Sequence, residues 1–145
     1  IGDFERTARD TEHNLEICHF VERYTDSEED KKELLQYRPY ILRMYAISKA
    51  MVSLHRQLKS AAKGIIESAI EEIEKMVPID TPAFQFERLR SLNYLRSTLK
   101  QILEQKVTPL DRLKKELEEA LEEENYEQAA ELRDRIKTLK KEFEL

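Results

Sequence analysis

The sequence predicts an all-α protein: a body of four helices over residues 1–107, then an antiparallel two-helix hairpin over residues 108–145. Three observations predict it. The 145 residues include two glycines, four prolines and no tryptophan, and 38% of them are charged, a balance rich in Glu, Lys, Arg, Leu and Ala that favours helix over strand. Apolar residues recur at spacings of three and four along nearly the whole chain, the signature of helical stripes. The breaks between stripes are short and polar or marked by proline. A chain of this length fits one modest domain with an appendage.

The first helix is expected over about Asp3–Tyr24, with Phe4, Ala8, Leu15, Cys18 and Val21 near one side. A turn at Thr25-Asp26-Ser27 follows, where Asp26 with Glu29 three residues on reads as a capping box. The acidic Glu28, Glu29 and Asp30 suit the positive end of a helix dipole. The second helix carries Leu34, Tyr37, Ile41, Met44, Met51, Leu54 and Leu58 on one stripe, and Leu35, Leu42, Tyr45, Ala46 and Val52 on another. Two stripes predict the most buried element. Pro39 inside it removes a backbone donor and clashes with the preceding turn, so the helix must kink or restart near Arg38.

After a break near Ser60, a third helix to about Met76 turns Ala62, Ile65, Ile66, Ala69, Ile70 and Ile73 inward, weakened at Gly64 by about 1 kcal/mol relative to alanine. Its alternation of small and large residues has a weak tetratricopeptide-like character. A single such unit makes no solenoid, because stacked neighbours supply the core. Pro78 and Pro82 bracket the proline-rich connection, and Thr81 is placed to start the fourth helix. That helix presents Phe86, Leu89, Leu92, Leu95, Leu99, Ile102 and Leu103 as its inward stripe and ends before Val107. Thr108-Pro109 then forms an elbow into the hairpin.

In the hairpin, Leu110, Leu113, Leu117 and Ala120 form one seam, and Ala129, Leu132, Ile136 and Leu139, continued by Phe143, form the other. Glu122-Glu123-Glu124-Asn125 between them is too short and polar for anything but a tight connection. Thr108 with Asp111, and Asn125 with Gln128, are capping pairs for the two helices. Once the seams are zipped, Leu121, Tyr126, Ala130 and Arg133 are left over near the turn. Tyrosine and arginine anchor interfaces out of proportion to their number, so these four are the expected partner-binding patch.

The run Tyr126-Glu127-Gln128-Ala129-Ala130-Glu131-Leu132-Arg133-Asp134-Arg135-Ile136, preceded by Leu113-Lys114-Lys115-Glu116-Leu117 and Glu119-Ala120-Leu121, resembles the UVR motif. That motif is shared by the excision-repair proteins UvrB and UvrC, by some Clp-type unfoldases and by activators of bacterial protein-arginine kinases. The resemblance covers about a quarter of the chain. It implies a hairpin that docks onto another protein, often another such hairpin, and does no chemistry itself. Arg38-Pro39-Tyr40-Ile41 with Met44 loosely resembles the helical middle region of uncharacterised bacterial proteins that end in a UVR motif. Paired cysteines of the zinc-bearing kinase activators are absent here.

Other function classes find little support in the residues. Thirty acidic against 25 basic side chains, with the excess concentrated after Thr108, oppose general DNA affinity in the hairpin. Cys18 is the sole cysteine, in keeping with a reducing cytoplasmic setting. No apolar run approaches the roughly 18 residues of a membrane span. Glu16-Ile17-Cys18-His19 has the Glu-x-x-His spacing of di-iron bundles, but no second copy accompanies it. Cys18 and His19 point about 100° apart on a helix and form no nucleophile pair. With no phosphate loop or nucleophile elbow either, no enzyme activity, metal or cofactor is expected.

A cytoplasmic adaptor that presents the hairpin to a partner carrying a similar hairpin, or to a second copy, is the expected function. The alternative is a nucleic-acid-binding accessory factor of excision repair using Arg88, Arg90, Tyr94 and Arg96 of the fourth helix, with the basic stretch Arg38, Arg43, Lys49, Arg56 and Lys59 of the second, each stretch otherwise a solvated helical face. Arginine beside tyrosine grips phosphate and stacks on bases.

Overall fold

The computed structural model describes residues 2–105 and 109–142. Among them are seven helices and no strand: α1 (Gly2–Tyr24), α2 (Glu28–Leu35), α3 (Arg38–His55), α4 (Lys59–Lys75), α5 (Pro82–Glu104), α6 (Pro109–Glu122) and α7 (Tyr126–Glu142). Thr108, its expected cap, and Phe143, the expected end of the second seam, lie outside the described residues, as does most of the elbow.

The helix expected from Glu28 onward restarts at Arg38 with Pro39 in its first turn, as the missing N–H requires, and so becomes α2 and α3. The cap of α2 sits one residue later than expected. Ser27, not Asp26, has extended backbone, and its Oγ accepts from the Asp30 N–H at 3.3 Å. Thr81 does cap α5, accepting from the Phe84 N–H at 3.1 Å, with Pro82 following it.

α3 is the centre of the body. α1 runs antiparallel along it, tied at one end by Arg38–Glu22 at 2.7 Å and at the other by Arg56–Glu5 at 3.3 Å. α4 folds back on α3, and α5 packs on both. The core joins Leu42, Ala46 and Ala50 of α3, Ala62, Ile66, Ala69 and Ile73 of α4, and Leu92, Leu95 and Ile102 of α5. The alanines let the backbones of α3 and α4 approach closely, and the larger side chains fill the space between them.

Two expected stripes are corrected. Of the first stripe of α2–α3, Leu34, Tyr37, Met51 and Leu58 are exposed. The buried face is that of Leu35, Leu42 and Ala46, extended by Pro39, Arg43, Ser48 and Ala50. In α5, Phe86, Leu89 and Leu103 are exposed, while Phe84 and Ser91 turn inward beside Leu92, Leu95 and Ile102. At 100° per residue Phe86 lies opposite Leu95. α5 is apolar on both sides, and the position of α4 decided which side was covered. In α1, Phe4 is likewise outside the core. Among the described residues no helix is long and apolar enough to cross a membrane.

The hairpin joins the body at the corner between α3 and α4. Gln57 there has φ 62°. Its N–H reaches the Leu54 carbonyl at 3.0 Å and the Leu58 N–H reaches Ser53 at 2.8 Å, the paired bonds of a Schellman ending of α3. Lys114 of α6 donates its ammonium to the Arg56 carbonyl at that ending, and Lys59 donates to the Gln105 carbonyl. Leu110 is buried and lines a cleft with Leu54, His55 and Leu58. Burial, with Lys140 nearby, holds the Lys114 pKa below the ordinary lysine value.

Candidate partner-binding site

The two arms of the hairpin close as the spacing requires. Ala120, Ala129 and Leu132 form the buried contact, Leu113 and Leu117 pack against it, Ile136 is buried and Leu139 half-buried. Ala120 and Ala129 sit at the turn end, where small side chains let the arms converge. Leu110, expected in this seam, is buried, and it also lines the cleft with Leu54, His55 and Leu58 of the body and Lys140 of α7.

The turn is a second Schellman ending fused to a helix start. The Asn125 N–H bonds the Ala120 carbonyl at 2.8 Å, and the Glu124 N–H bonds Leu121 at 3.2 Å. This geometry places Glu124 at φ 57°, a conformation that usually selects glycine. Asn125 then caps α7: its Oδ1 accepts from the Gln128 N–H at 3.3 Å, and its Nδ2 donates to Gln128 Oε1 at 3.0 Å. Such a cap contributes about 1 kcal/mol to the helix it begins. The end of α6 therefore leads straight into the start of α7.

Of the expected contact patch, Tyr126 is 67% exposed, and Ala130 and Arg133 are exposed on the same face of α7. Arg133 has no ion-pair partner among the described residues, Asp134 included. Leu121 is separate in role. It lies on α6 and lines an open cleft between arm and body of about 690 Å³, facing Gln57–Ala61. The structure thus leaves three residues of one α7 face open and places the fourth at the mouth of a cleft.

The arginines of α5 are partly engaged within the body. Arg96 pairs with Glu74 at 2.6 Å, and Arg88 donates to the Glu74 carbonyl at 3.4 Å. Arg90 lies over the Phe86 ring at 5.9 Å, and Tyr94 stacks on Arg43 at 5.6 Å. Arg43, expected among the basic residues of the second helix on a solvated or phosphate-facing side, is buried instead. It is 5% exposed, sits between Tyr40 and Tyr94, and its Nη1 is buried with no hydrogen-bond partner. The spacing of Tyr40, Arg43 and Tyr94 across two helices could not be read before the helices were paired.

Elsewhere, an open groove of about 510 Å³ between α1, α3 and α4 is lined by Leu15, Phe20, Leu42 and Tyr45, with His19 and Glu72 at its edge. Cys18 is buried beside it, and burial pushes its thiol pKa up, which keeps it protonated and unreactive. His13 pairs loosely with Glu16 at 3.9 Å. No group of three His, Cys, Asp or Glu side chains among the described residues is placed to hold a metal.

Comparison with known proteins agrees with the geometry of the arm. A UvrB/uvrC motif occupies residues 108–142. No curated protein and no solved structure matches the chain significantly.

Proposed function

We propose, taking the UVR hairpin as premise, that this protein is a non-catalytic adaptor whose helical body holds the hairpin out for docking to another protein. The partner is either a second hairpin of this kind or a second copy of the chain, met in the cytoplasm. The observation that carries the reading is the open face of α7 beside the turn, where Tyr126 and Arg133 have no partner among the described residues. An aromatic ring and a guanidinium, the side chains that most often anchor interfaces, stand there on a helix start capped by Asn125. Apolar burial of Tyr126 and Ala130 supplies affinity, and the surrounding charges set register.

The nucleic-acid reading is weaker on geometric grounds. Arg88 and Arg96 are turned to Glu74, and Tyr94 is committed to Arg43. Phosphate would have to compete with those contacts.

Sedimentation of the full chain, alone and with a panel of proteins bearing UVR hairpins, tests the adaptor. Tyr126→Ala and Arg133→Glu are each expected to weaken at least one association about tenfold or more. Unchanged association in both variants overturns the assigned surface. Retention on nicked DNA at about 0.15 M salt, falling steeply as salt rises, would instead favour phosphate binding.

A further inference from the structure

The outward face of α5 is apolar and basic. Phe86 and Leu89 are 60% and 62% exposed, Tyr94 is exposed, and Arg90 lies across Phe86. Positions 86, 89, 90, 93, 97 and 100 fall on one side of the helix. Of the four cations between Ala83 and Leu103, Arg88 and Arg96 are turned to Glu74, which leaves Arg90 and Lys100 for this face against the single carboxylate of Glu87. Beneath the edge of this face lies Arg43, packed between Tyr40 and Tyr94.

The turn half of the hairpin is the complement. Between Glu116 and Glu131 there are eight glutamates and no lysine or arginine, and Tyr126 and Ala130 stand open among them. One surface offers aromatic rings among cations, the other an aromatic ring among carboxylates. Each would satisfy the other.

The chain's own hairpin is held away from this face. Leu121 lies beside Gln57–Ala61, at the first turn of α4, whereas Arg88, on the turn of α5 that carries Phe86 and Leu89, reaches Glu74 at the last turn of α4. Those two ends are separated by about 20 Å at 1.5 Å per residue. Lys114 and Leu110 fix the base of the arm to the first of them. The hairpin that fits must come from elsewhere.

We propose that the α5 face, centred on Phe86, Leu89, Arg90 and Tyr94, receives the acidic turn of the hairpin from a second copy of this chain. The inference rests on the adaptor reading and assigns it a receiving surface. Donor and receiver are different parts of one chain, so the contact is heterologous: two copies close it by exchanging hairpins, or further copies extend it. The exposed rings and Leu89 offer roughly 300 Å², taking about 200 Å² for each aromatic side chain, well below the roughly 800 Å² per partner of a stable interface. Association is therefore weak and strongly dependent on salt.

Sedimentation equilibrium of the full chain tests this with two exposed-surface variants, both checked for unchanged helicity. Phe86→Ser/Arg90→Glu destroys the receiver and keeps the hairpin; Tyr126→Ala/Glu127→Lys destroys the hairpin and keeps the receiver. The wild type is expected to self-associate at high protein concentration and to weaken about tenfold or more between roughly 0.05 and 0.5 M salt. Each variant alone is expected to be monomeric. Mixed together they are expected to form a heterodimer, because one intact hairpin then meets one intact receiver. Overturning results are a wild type that stays monomeric throughout, or a Phe86→Ser/Arg90→Glu variant that associates as the wild type does. The latter would show that hairpins pair with hairpins and would leave the adaptor reading standing.

Discussion

Replacing Glu124 by glycine should stabilise the hairpin, and the size of the gain follows from one backbone angle. Glu124 sits at φ 57°, where the Cβ of an L-residue crowds the following carbonyl at a cost of about 1–2 kcal/mol. Glycine removes that cost but adds freedom to the unfolded chain, returning about 0.4–1 kcal/mol. The expected net gain is about 0.5–1 kcal/mol. Glycine also deletes a charge from the carboxyl end of α6, where a negative group is unfavourable. Glu124→Gln removes that charge and keeps the strained φ, so the difference between the two variants isolates the backbone contribution.

The reporter is hydrogen exchange at the Asn125 amide, which bonds the Ala120 carbonyl at 2.8 Å across the turn. Local opening is read there even if the body stays folded. Exchange should slow by about two- to fivefold in Glu124→Gly relative to Glu124→Gln, the kinetic equivalent of 0.5–1 kcal/mol. Equal exchange in the two variants would refute the assigned strain, and faster exchange in glycine would refute the turn geometry itself.

Three further outcomes are expected. Leu95 is fully buried among α3, α4 and α5, so Leu95→Ala should lower the urea-unfolding free energy by about 2–5 kcal/mol; a loss under 1 would mean the core is looser than described. Glu22 is held below its ordinary pKa of 4.5 by the hydrogen bond from Arg38. A depressed carboxyl contributes stability that is present above 4.5 and lost as pH falls through the folded value. The wild type should therefore lose more stability than Glu22→Gln on acidification below 4.5. Because Glu22 is half exposed, the difference should be at most about 1 kcal/mol, and parallel acid-denaturation curves would argue against the pair. Arg43→Met should leave thermal stability unchanged or raise it by about 1 kcal/mol, since it exchanges an unpaired buried guanidinium for apolar bulk of similar length. A loss of 3 kcal/mol or more would show that Nη1 has an acceptor in solution.

What could be read from the sequence divides along local and tertiary lines. The caps at Thr81 and Asn125, the restart at Pro39 and the seam of Leu113, Leu117, Ala120, Ala129 and Leu132 are settled within a few residues, and all were legible. The turn itself was legible in length but not in conformation, because the left-handed position is filled by Glu124 rather than by a glycine that would have announced it. Gln57 hides the end of α3 in the same way. The inward face of α5 was not legible: Phe86 and Leu89 fit a helical period as well as Leu92 and Leu95 do, and only the packing of α4 distinguishes them. The burial of Arg43 was not legible because a charged residue in an apolar helix reads as a solvated face until two tyrosines from different helices are found around it.

The position of Leu110 changes how the arm must be understood. Buried at the base of α6, beside Lys140 of α7 and beside Leu54, His55 and Leu58 of the body, it borders arm and body alike. The contact between the arms runs from Ala120, Ala129 and Leu132 near the turn, with Leu113 and Leu117 packed on them, to the buried Ile136 and half-buried Leu139. The joint, where Lys114 donates to the carbonyl of Arg56 at the end of α3, sets the direction of the arm. Burial depresses the Lys114 pKa, so its charged form is held there against a desolvation cost that the α3 carbonyl and helix dipole offset. The arm is thus aimed by the body. A partner of the proposed kind would meet Tyr126 and Ala130 on a helix whose start is already capped by Asn125, so little ordering of the backbone would oppose docking.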